Sequence, residues 1–517
     1  MQRFTQSLSL IIFTCLLGRA QVNILTANGN NDRTNANLEE KQLAPATVTP
    51  ESFGKIGTFE VDGQVYAQAL YANGIAMLGS APLSVLYVST MHNSVYAFNA
   101  GALPSKTLLW HVNLGASVPS ELVFGRYSDI DSEVGILGTG AIDLQRGVLY
   151  VVSDTLRDGV PAFYLHALDL ATGAERLNGP VAIAASVPGS GSGARNGTVT
   201  FDPLQHIQRP GLLLANDSVY VAFGSHADES PWHGWLMSYD ASDVTRQAGV
   251  YMSTPTGDGG AFWQSGRGLA ADSQGNLYAV TGNGDYDGVQ NFSQSFLKLT
   301  GAAPVRAGSY TPPDWKSMSD NDFDLSAGPA LISGTRTVIG ADKTGYLYVL
   351  NGDTMGPVTA PGPPNQNYFF AALSSIFNFA IWSQPGGALV FVQGSKTPLT
   401  SYRITGTDFD TTPVATAQIS VRFARIGMTL SSDGARSDSG ILWETSGDYH
   451  DDNAPGTLRA YDASDLTELW STDMDPGRDS LGPVAKFVSP TVANGRVYVP
   501  TFGNTVVVYG HLNSRIR

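Results

Sequence analysis

Short apolar runs separated by Gly, Asn and Asp turns recur along most of this chain, and no long 3.6-period segment competes with them. From Phe59 onward the runs keep one order. A strand like LYV precedes a strand like VYAFN or LRAYD, and a further strand often carries Trp. The paired runs are Val85–Val88 with Val95–Asn99, Val148–Val152 with Leu165–Asp169, Val219–Ala222 with Leu236–Asp240, and Leu277–Val280 with Ser295–Leu299. They continue as Thr337–Gly340 with Tyr346–Asn351, Ala388–Val392 with Thr400–Ile404, Ile441–Glu444 with Leu458–Asp462, and Arg496–Val499 with Val506–Tyr509. The eight copies recur about every 59 residues, and self-similarity at such a period signals a radial or stacked array. Four short strands per copy predict an all-β fold, an eight-bladed β-propeller of four-stranded blades. Two stacked β-sandwiches would not require so regular a period.

The ends of the repeat carry their own prediction. The last copy stops after Tyr509 without a fourth strand, whereas Gly57–Val61 has the look of the fourth strand Leu109–Val112. The N-terminal piece Phe59–Val61 is therefore expected to complete the last blade. The propeller domain is set at residues 53–517. Residues 21–52, rich in Asn, Thr, Ala and Gln and without periodicity, read as an exposed, disordered leader. Gly356–Asn367, with four prolines, reads as a long loop between blades.

Residues 1–20 read as a signal peptide: a basic start at Arg3, an apolar run Leu8–Leu17, and small residues at Gly18 and Ala20. That run is too short to span a bilayer, and no second long apolar segment follows. The expected location is secreted or periplasmic. The single cysteine, Cys15, lies inside the leader peptide, so disulfide frameworks, Cys-based zinc sites and covalent haem attachment are excluded. A net charge of −15 argues against a nucleic-acid partner, because phosphate backbones need clustered Lys and Arg. The expected partner is a small molecule or extracellular ligand in the propeller funnel.

Candidate chemistry gathers in four polar loops: His226–Trp235, Gly257–Gly266, Gly282–Gly288 and Asp314–Asp324. Glu229, Asn283, Asp285, Asp287, Asp320, Asp322 and Asp324 supply oxygen donors, and hard cations such as Ca²⁺ take about six to eight oxygens. Asp285 and Asp287 also suit plain turns. Arg267 is read either as facing an anionic ligand in the funnel or as a surface residue. His450–Asn453 is read as a solvated loop.

The repeat resembles the PQQ-dependent (quinoprotein) alcohol dehydrogenases and the wider PQQ-like propellers. Their blade signature AxDxxTGxxxW is matched in its first part by Ala167–Gly173, and loosely by Ala460-Tyr461-Asp462 with Trp470. By the resemblance, Glu229 and Asn283 (in Thr281-Gly282-Asn283) are metal ligands. Trp263, in Gly259-Gly260-Ala261-Phe262-Trp263, is the floor under the quinone. Asp322, in Asn321-Asp322-Phe323-Asp324, is the catalytic base and a metal ligand. Lys343, in Asp342-Lys343-Thr344-Gly345, contacts the quinone oxygens. The implied cofactors are PQQ and Ca²⁺. The chain departs from the pattern in lacking the adjacent Cys-Cys pair, in carrying His233 where the family has Arg, and in having Gly284-Asp285 after Asn283. Two functions follow. One is a secreted PQQ-like propeller acting as a non-catalytic binding or scaffold protein. The alternative is a PQQ- and calcium-dependent oxidoreductase that moves hydride from an alcohol or sugar to the quinone.

Overall fold

Eight antiparallel sheets stand around one axis in the computed structural model, which describes residues 22–79, 81–103, 108–124, 129–356, 368–406, 408–423, 425–448 and 454–512. Blade 1 is Leu70–Ile75, Leu83–Ser89, Ser94–Asn99 and Leu108–Asn113. Blades 2 to 7 begin at Ala141, Leu213, Ala270, Leu325, Phe379 and Gly427. Blade 8 is Thr491–Ala493, Arg496–Pro500 and Thr505–His511, and its fourth strand is Phe53–Glu60 from the start of the chain. Phe59 pairs with Val506, and the Val61 amide donates to the Asn504 carbonyl at 3.0 Å. The expected closure is therefore present, in a strand that starts earlier, at Phe53.

Middle strands such as Val85–Val88 are buried along their whole length, because blades stack face to face and cover both sides of each sheet. Every neighbouring pair of blades shares one apolar cluster. The ring is complete because blade 8 meets blade 1 through Phe59, Val506 and Val508 against Leu86, Val88 and Phe98. The blade signature has a visible cause. Asp169 Oδ1 accepts from the amides of Ala171 and Thr172 at 3.0 and 3.1 Å, which fixes the turn. Gly173 follows at φ +73°, and a Cβ there would lie 2.7 Å from the Trp110 ring of the preceding blade. Trp110 itself donates to the Leu170 carbonyl at 3.0 Å. Asp, Gly and Trp are thus one inter-blade contact.

The segment before Phe53 overturns the expectation of an exposed, disordered leader. Its described residues circle the axis and bond to the first strands of the blades in chain order. Ile24 exchanges two backbone hydrogen bonds with Tyr71 of blade 1, at 2.8 and 2.9 Å, and Thr26 bridges Ala141 of blade 2. Asn31 Nδ2 donates to Leu214 of blade 3, and the carbonyls of Asn31, Asp32 and Thr34 accept from Ala271, Leu331 and Ile381 of blades 4 to 6. Ala36–Asn37 pairs in parallel with blade 7, and the Glu40 carboxylate accepts from the Gly495 amide in blade 8. The first strands present unpaired backbone groups to the axis, and a polar, aperiodic segment is what satisfies them. Arg33 is fully buried here, donating to Leu269 O, Thr26 Oγ1, Ala27 O and Leu212 O at 2.6 to 2.9 Å. Arg267, expected at the funnel or surface, is also fully buried. It donates to the carbonyls of Gly328, Phe379 and Arg33.

Gly356–Asn367 joins the third and fourth strands of blade 5, Tyr346–Asn351 and Tyr368–Phe370, rather than two blades. Positions 357–367 lie outside the described residues, as do the signal peptide and His450–Asn453. Among the described residues no helix is long and apolar enough to cross a membrane.

Candidate functional site

Four of the five residues singled out in the sequence line one cavity of about 410 Å³ formed largely by loops of blades 3 to 5: Trp263, Asn283, Asp322 and Lys343. Each is set by its own turn. Trp263 sits between blades 3 and 4, where Gln264 and Ser265 follow at φ +52° and +50°. Gln264 is buried and accepts from the Val280 amide at 2.9 Å, locking this turn onto blade 4. Asn283 follows the strand Leu277–Val280, and its carbonyl accepts from the Gly260 amide at 2.6 Å. Asp322 lies at φ +56° between the helix Trp315–Asp320 and the strand Leu325–Leu331. Lys343 follows Asp342, whose Oδ1 accepts from the amides of Thr344, Gly345 and Tyr346 at 2.9 to 3.0 Å.

The fifth residue does not join them. Glu229 is exposed and lies outside the cavity lining; its neighbour Asp228 faces the cavity instead. Ala227 and Asp228 both take positive φ, which turns the loop one residue earlier than the spacing suggested. Asp228 Oδ2 accepts from Asn283 Nδ2 at 3.2 Å. The same Asn283 Nδ2 donates to Asp322 Oδ1 at 2.9 Å, and Asn283 Oδ1 accepts from Gln294 Nε2 at 2.9 Å. Lys343 Nζ stands 2.6 Å from both Asp322 Oδ1 and Asp324 Oδ1 and 5.4 Å from the Trp263 ring. Gly282 makes room for this cluster, since a Cβ there would come within 2.8 Å of Asp324 Oδ2. Asp287 holds its own turn, whereas Asp285 ties two loops together. Asp285 accepts from the Asp258 amide, and Asp287 accepts from those of Val289, Gln290 and Asn291.

Burial pushes the Asp324 carboxyl up to about 7, with Asp322 and Asp228 adding to the rise and Lys343 opposing it. Burial would lower the Lys343 ammonium, but Asp324 and Asp322 outweigh it and hold it above its ordinary value. Among the described residues no three carboxylate or imidazole groups converge at metal-ligand spacing; the Lys343 ammonium and the Asn283 amide stand between the acids.

Another part of the cavity wall is basic. Asp129 is bonded by Arg209 Nη1 at 3.1 Å, Lys486 Nζ at 2.7 Å and Arg425 Nη1 at 3.4 Å. Burial opposes the Asp129 charge, but Arg209, Lys486 and Arg425 prevail and hold its carboxyl well below the usual range. Phe377 and Phe487 pack edge-on against Trp263 at 5.8 and 5.6 Å between ring centroids.

The fold has solved counterparts. A quinohemoprotein alcohol dehydrogenase from Comamonas testosteroni superposes with a TM-score of 0.63 at 14% identity, over 96% of this chain and 81% of that one. A second, from Pseudomonas putida HK5, gives 0.60 at 13% identity over the same shares. The chain has the quinoprotein alcohol dehydrogenase fold. A europium-containing methanol dehydrogenase gives 0.50 at 16% identity, over 92% of this chain and 81% of that one. No family model matches the chain, and no curated protein matches it.

Sequence reasoning missed the roles of Asp228, Arg209, Asp129 and Arg425. The one usable signal was Arg209 in Gln208-Arg209-Pro210-Gly211, a cation placed just ahead of the first strand of blade 3.

Two histidines beside the cavity give a pH prediction. Burial pushes His206 down to about 4 and His226 down to about 3. His206 Nδ1 bonds the Asp202 carbonyl at 2.7 Å and Nε2 accepts from the His233 amide at 3.2 Å, so the ring fits only as the neutral tautomer. Their folded values lie below the unfolded value of about 6.5. The stability they contribute is therefore complete above pH 6.5 and is lost as pH falls toward 4. His226 packs edge-on against Phe124 at 4.7 Å, so Phe is a fair replacement. The wild type should lose on the order of 3 kcal/mol relative to His226→Phe between pH 6.5 and 4, read by urea unfolding at each pH. Parallel pH profiles would contradict the assignment.

Proposed function

We propose that this chain is an exported oxidoreductase that holds PQQ over Trp263 and a hard cation such as Ca²⁺ at the acidic wall. The single observation that carries this reading is the meeting of Trp263, Asn283, Asp322 and Lys343, from separate loops, in one cavity. The residues suit the ring as they stand; for the cation they supply the right donors, which would close on it only once the Lys343 ammonium moves aside. Asp228, Asn283, Asp322 and Asp324 are hard oxygen donors of the kind such cations take. Trp263 is half-buried and lines the cavity, with two cations, Lys343 Nζ and Arg209 Cζ, at 5.4 and 5.5 Å from its ring. That setting matches a flat, anionic ring system. When bound, the quinone supplies a two-electron acceptor and the cation a Lewis acid.

The chain's own residues do the rest. Asp322, on its positive-φ turn, takes the hydroxyl proton of an alcohol at Oδ, as a general base. Lys343 Nζ, 2.6 Å from that carboxylate, neutralises it until a cation takes its place and then turns toward the ring. Asp324 stands behind it, paired with the same ammonium at 2.6 Å. Phe124, Ile207 and Phe377 keep part of the wall apolar and limit water.

A second reading, binding without turnover, is favoured by one feature. Asn283 and Lys343 are already committed to internal bonds with Gln294, Asp228, Asp322 and Asp324. One experiment addresses both readings. Adding PQQ and Ca²⁺ should quench tryptophan fluorescence saturably, and alcohols or sugars should then reduce a dye; Trp263→Leu should remove the saturable component. Quenching without dye reduction would leave the binding reading, and the absence of both would remove the cofactor.

A further inference from the structure

The basic wall of the cavity offers more than the one ring contact just described: its hydrogen-bond donors have no part in holding the cation or the stacked ring. Its central member is Arg209. The Arg209 side chain is only 3% exposed. Its bond from Nη1 to Asp129 Oδ2 at 3.1 Å is its one hydrogen bond among the described residues. Its other contacts are the ring faces of Trp263, at 5.5 Å, and Phe487, at 4.9 Å. A guanidinium carries five N–H donors in a planar fork. Burying such a charge with most donors unused is costly unless a ligand completes them. Arg209 lines the 410 Å³ cavity and also a water-sized void of about 20 Å³ beside it, so its remaining donors face these spaces. Arg425 lines the same cavity and shares Asp129 with it.

We propose that Arg209, with Arg425 beside it, forms a carboxylate-binding subsite, and that the alcohol oxidised at the acidic wall is a small hydroxy acid. Oxidation of that acid rests on the reading under Proposed function; carboxylate binding does not. The planar fork of Arg favours a carboxylate, which it meets with two parallel hydrogen bonds. Asp129 already shows that a carboxylate fits between these cations. Burial, assisted by Arg209 and Arg425, pushes Lys486 down to about 8 despite Asp129, so a further negative charge there is electrostatically welcome. A cavity near the lower end of the ~300–1,000 Å³ range of small-molecule sites limits the acid to a few carbons. Asp322 lines the same space, so the hydroxyl of such an acid is the group within its reach.

Lactate and lactamide differ only in the group that Arg209 would read. The full chain, without PQQ, is titrated with each while tryptophan fluorescence and calorimetric heat are followed. Lactate should bind at least tenfold tighter than lactamide, and Arg209→Gln and Arg425→Gln should each reduce that ratio at least fivefold. Equal binding of lactate and lactamide by the wild type overturns the proposal, and this arm stands even where a variant does not fold. Retention of the full ratio in both variants also overturns it. Selective weakening of PQQ by Arg209→Gln, with no lactate preference in the wild type, would assign the subsite to the cofactor's own carboxylate and overturn the substrate class. Absence of dye reduction bears on the oxidoreductase reading alone and leaves the lactate ratio readable.

Discussion

Arg33→Met should lower the unfolding free energy by about 3–5 kcal/mol, read as a fall in the urea midpoint at unchanged slope. The guanidinium reaches three carbonyls, Leu269, Ala27 and Leu212, and one hydroxyl, Thr26, with every bond at 2.9 Å or less. Met fills similar volume and donates nothing. Leu269 O and Ala27 O would then stay buried without this donor, at about 1–3 kcal/mol for each unsatisfied group. Relief of the charge's own desolvation returns part of this, since burial already pushes Arg33 down to about 9. Because Arg33 joins the N-terminal segment to blades 3 and 4, the loss also loosens the clasp that runs round the ring. Gly268→Ala tests the same contact from outside, as its Cβ would lie 2.6 Å from Arg33 Cζ. It should destabilise in the same direction. An unchanged midpoint in Arg33→Met would mean that the segment is not part of the folded ring's stability.

That segment is also where sequence reasoning failed most, and the reason is physical. Periodicity reports burial of alternating side chains. Residues 22–52 are held largely by backbone groups reaching the backbone of the blades, and such contacts leave no apolar period. The blades were legible because each repeats the same device, seen in full where Asp169, Gly173 and Trp110 meet. Closure was legible because a missing strand at Tyr509 matched a spare one near Phe59. The site was legible where a short motif fixes a turn, as at Trp263 and Lys343. It failed where two positive-φ residues, Ala227 and Asp228, shifted the side chain that faces the cavity from Glu229 to Asp228. Arg267 was open to two readings, and Arg209 went unnoticed, for a further reason. Both are lone arginines near a blade start, and only the three-dimensional arrangement shows that Arg267 meets carbonyls on every side while Arg209 keeps donors toward the cavity.

Lys343→Met should raise the affinity for Ca²⁺ about tenfold or more in the absence of PQQ, while weakening PQQ binding. The opposite signs follow from where the ammonium stands. Lys343 Nζ lies 2.6 Å from Asp322 Oδ1 and 2.6 Å from Asp324 Oδ1, so it occupies the place of the cation these carboxylates would hold. A metal ion must displace it, and the attraction lost from two partly buried ion pairs opposes metal binding. Removing the ammonium removes that competition and leaves Asp228, Asp322 and Asp324 with the metal as their counter-charge. The quinone responds in reverse, because Lys343 is one of the two cations within 6 Å of the Trp263 ring. In the wild type the displaced ammonium would turn toward the ring system, so cation and quinone should bind cooperatively. In Lys343→Met that cooperativity should vanish. Calorimetric titration of Ca²⁺ with and without PQQ measures both terms. Weaker Ca²⁺ binding in the variant would show that Lys343 positions the acids rather than competing for them, and the acidic wall would then not be a cation site of the kind proposed.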